Sequence, residues 1–220
     1  MAVYVLRLLE DRLDAGAEIS PALVPLKRVL YVVEGSMTVA GEEREWESNS
    51  ARFGIGPCGV KGGVAGARLW RWELVESPVG DEGLAAGAGV SCSAKMHNEI
   101  ELDPQGDYLM RCDRVDFPLG GVAYTHTHAG PGTRCLLEGE IKVLVKGEES
   151  RLEPGGPWFE SGPDPVYAQA SKKQLTSFIR AMILPRSLQG KSSIRYVKSA
   201  DEDKPKTQKY TRFVDEFIEL

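Results

Sequence analysis

Short apolar and β-branched runs separated by glycine and proline dominate the chain. They cover residues 29–33, 37–39, 69–75, 108–116, 136–145 and 175–184. Runs of this length between turn residues are typical of β-strands, so the pattern predicts an all-β protein, a sandwich or a barrel. Segment 209–220 is the exception, because Phe213, Phe217 and Leu220 fall near helical spacing and predict a short C-terminal helix.

The two halves of the chain repeat one pattern. The Glu-Gly pair at 34–35, within VLYVVEGSMTV, recurs at 138–139 within RCLLEGEIKVLV. The Gly-Pro pair at 56–57 recurs at 162–163, and each copy then runs into an apolar strand. A repeat of about half the chain predicts two copies of one domain.

The repeat sets the expected domain boundaries. We expect an N-terminal barrel over 1–85 and a C-terminal barrel over 94–186, because the stretch 80–93 is rich in glycine, alanine and serine. Residues 187–220 read as a polar tail with one short strand near 194–197 and the C-terminal helix. A length of 220 residues suits two domains of roughly 100 residues each.

Charge and composition exclude several classes of function. The net charge is −5 without a basic stripe, which predicts no binding to nucleic acid. No run of 18 apolar residues is present, so no transmembrane helix is expected. Charged residues interrupt the apolar N-terminus, unlike a signal peptide, which favours a cytoplasmic location. The four cysteines form no C-x-x-C pair and read as free thiols.

A His-x-His pair in the second half carries the strongest chemical signal. Gly120 is followed by five residues and then by His126 and His128, and the motif closes at Gly139. A second motif opens with Pro-Gly-Gly at 154–156 and continues with Gly-Pro-Asp-Pro at 162–165. Over residues 118–184 this arrangement resembles the cupin family. The resemblance implies two tandem jelly-roll β-barrels, a bicupin, with a divalent metal in the barrel mouth.

The second copy departs from the cupin pattern at two ligand positions. The position of the family's glutamate ligand falls at Gly132, and that of its last histidine falls at Tyr167. The resemblance therefore implies a partly degenerate site in which His126, His128 and the Tyr167 phenol hold the metal.

The first copy departs at every ligand position. Ala22 and Val24 stand for the two histidines, Arg28 stands for the glutamate, and Val60 or Lys61 stands for the last histidine. The resemblance implies a structural barrel without metal.

Strand alternation extends the predicted pocket in the second barrel. Side chains two residues apart point to the same face of a strand. If the histidines point inward, the predicted pocket is lined by Tyr124, His126, His128, Arg134, Tyr167 and Gln169, with Trp158 or Phe159 near the mouth. Tyr124 and Tyr167 are the candidate catalytic groups, and Arg134 and Gln169 the candidate substrate-binding groups.

Arg134 allows two interpretations. A buried guanidinium needs an anionic partner. Arg134 either binds a substrate carboxylate or phosphate, or it pairs with Glu138 or extends its charged end to solvent. The remaining histidine, His97, reads as a surface residue, and Cys112 and Cys135 read as core thiols.

Two classes of function fit these residues. The first is a metal-dependent cupin enzyme acting on a small polar or anionic metabolite, as a dioxygenase, isomerase or lyase. The second is a non-catalytic bicupin that binds or senses a small molecule or a metal. Imidazole ligands favour Fe, Mn, Ni, Cu or Zn as the divalent transition metal. A homodimer is expected in either case, because exposed sheet edges favour pairing.

Overall fold

The fold is taken from a computed structural model, in which residues 1–77 and 84–220 are described. Antiparallel strands account for nearly all regular structure, which confirms the all-β prediction. Two short 3₁₀ turns, Arg186–Leu188 and Ser199–Asp201, are the only helical segments in the described ranges. No helix there is long and apolar enough to span a bilayer.

The first unit, Met1–Pro104, is built on one sheet. Its strands are β1 (Ala2–Leu13), β2 (Lys27–Val39), β3 (Glu45–Glu47), β4 (Ser50–Gly54), β5 (Val60–Glu76) and β6 (Val90–Leu102). The sheet runs in the order β3-β2-β5-β1-β6, with β4 also paired to β2. Two register shifts between β2 and β5 bend the sheet around an apolar core that includes Leu30, Val60 and Leu69.

The second unit, Gln105–Leu220, contains two five-stranded sheets. Its strands are β7 (Tyr108–Phe117), β8 (Val122–His128), β9 (Gly132–Glu138), β10 (Ile141–Val145), β11 (Glu148–Leu152), β12 (Pro157–Glu160), β13 (Val166–Ala170), β14 (Thr176–Pro185), β15 (Ile194–Tyr196) and β16 (Lys209–Ile218). The sheets run β11-β10-β13-β8-β15 and β12-β9-β14-β7-β16. Both sheets contribute to one core, which contains Val115, Leu136, Val143 and Val166.

The boundary between the units differs from the expected one. Strand β6 pairs with β1 from Leu13↔Val90 to Ala2↔Leu102, so residues 94–102 belong to the first unit rather than to the second barrel. The backbone groups along one edge of β1 find their partners in β6, which the composition of the linker does not reveal. Part of the expected linker, 80–83, lies outside the described residues.

The predicted C-terminal helix is wrong. Residues Lys209–Ile218 form β16, which pairs with β7 at the edge of its sheet. A register shift between Arg212 and Val214 breaks the two-residue alternation and produced the misleading helical spacing. Val214 and Ile218 are buried, whereas Phe217 is largely exposed. Through β15 and β16 the segment 187–220 thus joins the second unit's sheets and is not a separate tail.

The repeated Glu-Gly pair has a conformational reason. Gly35 has φ +71° and Gly139 has φ +81°, a region that side chains rarely adopt. A Cβ at these positions would lie 2.1 Å from the carbonyl oxygen of Gly66 and 2.3 Å from that of Leu175, respectively. Each unit therefore needs glycine where a neighbouring backbone approaches this turn.

Candidate metal centre

The two histidines of the His-x-His pair face each other inside the second unit. His126 and His128 lie on β8 and are 5% and 6% exposed. Their Nε2 atoms are 3.2 Å apart, and the ring planes are nearly perpendicular at 88°. Residues two apart on a strand share a face, and here the shared face is the interior.

Glu160 supplies a third group that the sequence analysis missed. It lies at the end of β12, is buried, and places Oε2 3.2 Å from His128 Nε2. One candidate ligand atom from each of His126, His128 and Glu160 lies within 4.8 Å of the others. The 3.2 Å separation of the two imidazole nitrogens would allow both to bind one metal ion.

Strand register explains where this carboxylate comes from. Glu160 is the direct cross-strand partner of Gly132, the position that corresponds to the glutamate of the cupin motif. Cross-strand partners lie within roughly 5 Å of each other. A carboxylate on β12 can therefore serve the same interior point as one on β9.

Each of the three side chains also has an outer hydrogen-bond partner. His126 Nδ1 lies 2.7 Å from the carbonyl oxygen of Tyr124, and His128 Nδ1 lies 3.1 Å from Ser193 Oγ. The Trp158 indole donates to Glu160 Oε1 at 2.9 Å. Partners of this kind fix the orientation of metal ligands in proteins. The atoms that would bind a metal, two imidazole nitrogens and one carboxylate oxygen, remain turned toward one another.

Arg134 points inward, and its anionic partner is Glu160 rather than Glu138. Its Nη2 lies 2.6 Å from Glu160 Oε2, and both side chains are almost fully buried. Glu138 is instead largely exposed and binds Arg114 and Ser177. Burial lowers the pKa of Arg134 to about 10, with Glu160 opposing that change and Arg180 adding to it. The guanidinium remains charged at neutral pH.

The protonation states suit metal binding. Burial lowers the pKa of His128 to about 3 and also lowers the pKa of His126, and Glu160 only partly offsets this. Burial alone would raise the pKa of Glu160, but Arg134 and His128 outweigh it and hold that pKa well below its usual range. At neutral pH both imidazoles are neutral and the carboxylate is ionised, which are the states that ligate metals.

The donor set fits a divalent transition metal. Two imidazoles and one carboxylate with open positions form the arrangement that non-haem iron sites use. Glu160 Oε2 is buried and, within the described ranges, makes no hydrogen bond of acceptable geometry despite its short distance to Arg134. A buried oxygen of this kind still has the capacity to bind a cation.

The structure does not bring Tyr167 and Gln169 into this group. On β13 the core side chains are those of Val166, Ala168 and Ala170. Strand alternation therefore places Tyr167 and Gln169 on the opposite, partly exposed face. The expectation that both point inward is corrected, because the count from the cupin motif was out of phase with β13.

Tyr124 is also displaced from the interior. The register between β8 and β13 shifts, so that His126 pairs with Val166 but Ala123 pairs with Ala168. This β-bulge inserts one extra residue and reverses the alternation, so Ala123 packs on the core instead. The Tyr124 ring lies beneath Lys204, 4.5 Å from its Nζ to the ring centroid, and only its carbonyl oxygen serves the site.

A network of charges occupies the first unit. Arg28, which stands at the glutamate position of the first copy, is fully buried and donates to Glu73 at 3.0 Å. Arg7 and Arg71 pair with the same carboxylate, and Arg71 also pairs with Asp11. His97, the third histidine, lies exposed on β6 of this unit.

Paired antiparallel sheets around one core, with two imidazoles from a single strand turned inward, define a cupin fold, and the chain has that fold. Among solved structures, it is similar to a variant of oxalate decarboxylase from Bacillus subtilis, with a TM-score of 0.65 and 10% identity, covering 92% of this chain and 74% of that chain. Another structure of that enzyme concerns its Mn(II) centres.

Two further structures have the same fold. Salicylate 1,2-dioxygenase from Pseudoaminobacter salicylatoxidans, in complex with gentisate, is 13% identical with a TM-score of 0.54, covering 82% of this chain and 68% of that chain. AerE from Microcystis aeruginosa is 13% identical with a TM-score of 0.57, covering 83% and 93%. No family model and no curated protein matches the sequence.

Proposed function

We propose that the second unit is a metal-dependent enzyme domain that acts on a small polar or anionic metabolite. His126, His128 and Glu160 hold a divalent transition metal. The observation that carries this proposal is the convergence of three buried ligand atoms, each with its own outer hydrogen-bond partner. Metal-ligating histidines almost always have an outer partner of this kind.

The carboxylate widens the choice of metal. Imidazole favours Zn, Cu, Fe and Ni, whereas a carboxylate adds affinity for Mn. When bound, such a metal supplies a Lewis acid with open coordination positions. The Mn(II) centres named for the similar oxalate decarboxylase support a metal of this kind.

Arg134 is the candidate for orienting an anionic substrate. Its guanidinium lies beside Glu160, and Arg180 is its direct cross-strand neighbour. Arg134 pairs with Glu160 and Arg180 pairs with Asp113, so an anionic substrate would share these guanidinium groups with the two carboxylates. A guanidinium binds carboxylate or phosphate through paired hydrogen bonds.

Elemental analysis of protein purified without a histidine tag tests the metal site. Near-stoichiometric Fe, Mn, Ni, Cu or Zn is expected, and His126→Ala, His128→Ala and Glu160→Gln should each abolish it. His97→Ala and Glu138→Gln are matched controls, because both residues are exposed, and should retain the metal. Wild-type protein that takes up none of these metals would overturn the proposal.

A non-catalytic binding or sensing barrel is the second candidate. It is favoured by the Arg134–Glu160 ion pair, which neutralises the buried carboxylate without any metal. The two candidates differ in turnover. The enzyme should convert a compound from a metabolite screen in a reaction that requires His128, whereas the binding module should show only ligand-induced stabilisation. The homodimer stays a prediction that light scattering can test.

A further inference from the structure

The C-terminal part of the chain crosses the strand that bears both histidines. This crossing segment, residues 189–208, contains β15, which pairs with β8 so that Ile194 lies opposite His128 and Tyr196 lies opposite His126. The Tyr196 ring also packs near the His126 ring, with centroids 6.4 Å apart. The sequence alone presents this segment as a polar tail.

Several hydrogen bonds hold the crossing segment in place. The backbone of Ser193 accepts from the Ala129 amide at 3.0 Å, and Gln208 donates to the Val122 carbonyl at 2.6 Å. Lys206 Nζ donates to three carbonyls of the segment and lies 4.3 Å from the centre of the Tyr196 ring. Ser193 itself is only 4% exposed.

The partners of the imidazoles determine where their protons lie. The Tyr124 carbonyl can only accept, so His126 carries its proton on Nδ1 and its Nε2 bears a lone pair. His128 Nε2 lies within hydrogen-bond distance of that lone pair, at 3.2 Å, and can only donate to it. His128 therefore carries its proton on Nε2 without metal, and its Nδ1 accepts from the Ser193 hydroxyl.

Metal binding requires the other tautomer of His128. A metal on Nε2 needs the lone pair there, so the single imidazole proton must lie on Nδ1, and no net proton is gained or lost by the ring. Ser193 Oγ must then accept where it previously donated. A hydroxyl does both by rotating, whereas a carbonyl such as that of Tyr124 could serve only one state.

We propose that Ser193 is a positioning residue that serves both tautomers of His128 and makes the crossing segment part of the metal centre. Only the role of Ser193 in the metal-bound state rests on the proposed function. The hydrogen bond from Ser193 to His128 in the metal-free state does not depend on any metal.

The test combines metal titration with ring-nitrogen NMR of histidine-labelled protein. The chain has three histidines, and His97→Asn assigns the exposed one. Ser193→Ala should weaken zinc binding by about 10- to 100-fold, the range for loss of an outer partner. Ser193→Thr keeps the hydroxyl and should restore affinity. Ser192→Ala changes an exposed serine of the same segment and should leave it unchanged.

In metal-free protein, the Nδ1 resonance of His128 should move in Ser193→Ala but not in Ser192→Ala. Equal zinc affinity in Ser193→Ala and wild type, or equal weakening in both serine variants, would overturn the role of Ser193. An unmoved Nδ1 resonance would overturn it as well. If wild-type protein binds no metal while the metal-free resonance still responds, the proposed function and the metal-bound role fail and the Ser193–His128 hydrogen bond stands.

Discussion

Glu160→Gln should strongly destabilise the second unit in metal-free protein. The variant keeps the size of the side chain but removes the charge that faces Arg134, whose Nη2 lies 2.6 Å away. Arg134 is 1% exposed, and its other contacts are the Gly132 carbonyl and the Met182 sulfur, neither of which is charged. The substitution therefore leaves a buried cation without an anionic partner.

The magnitude follows from the burial of both groups. Two unit charges about 4 Å apart attract by about 4 kcal/mol at an effective dielectric constant of about 20. Removing one partner of a buried pair typically costs about 3–5 kcal/mol. At about 4 °C per kcal/mol for a domain of this size, the melting temperature of the second unit should fall by about 12–20 °C.

A double-mutant cycle separates the ion pair from packing. Arg134→Met alone should also destabilise, because it leaves the Glu160 carboxylate buried, whereas Arg134→Met with Glu160→Gln should recover at least half of the loss. Calorimetry in the presence of a chelator gives the unfolding transitions. Glu138→Gln, at a mostly exposed carboxylate, is the control and should change stability by less than about 1 kcal/mol. The reasoning is refuted if Glu160→Gln costs no more than that control, or if the two substitutions are additive.

Three further predictions concern other parts of the chain. Three arginines outweigh burial and hold the pKa of Glu73 below its ordinary 4.5. The stability that the ionised Glu73 contributes is present above pH 4.5 and is lost as the pH falls through the lower folded-state pKa. Glu73→Gln should therefore weaken the dependence of the melting temperature on pH in the acid range. Gly139→Ala should destabilise more than Gly41→Ala by calorimetry, because both have positive φ but only the first meets a backbone oxygen, that of Leu175. Burial raises the pKa of Cys112, so mass spectrometry should find it unalkylated by iodoacetamide at pH 8 until the protein is denatured.

Local sequence signals predicted the fold class but not the strand partners. The Glu-Gly turns at 34–35 and 138–139 were visible because a positive φ favours glycine and because a Cβ at Gly35 or Gly139 would also meet a backbone oxygen. The pairing of β6 with β1 was not visible, because an edge strand carries no local mark of its partner. The bulge in β16 likewise depends on its register with β7, so its spacing imitated a helix.

The histidines could be found from sequence, and the rest of the site could not. His126 and His128 share a strand, so their common face follows from a spacing of two residues. Tyr124 lies two residues before His126 on the same strand, yet the bulge in β8 removes it from that face. A bulge is a property of two strands together, and counting along one strand cannot detect it.

The position of the Glu160 carboxylate shows why aligning the motif along the sequence underestimates the number of candidate metal ligands. A Cβ at Gly132 would lie 2.5 Å from Met182 Cγ and 2.7 Å from the Ala181 carbonyl oxygen, so a glutamate does not fit there. Across the ladder, Glu160 reaches the same interior point from a strand with room for it. Strand β14 thus restricts position 132 to glycine, and the buried Arg134 finds its anionic partner in Glu160. A carboxylate at position 160 rather than at position 132 therefore fits this packing, and with His126 and His128 it makes three candidate ligands.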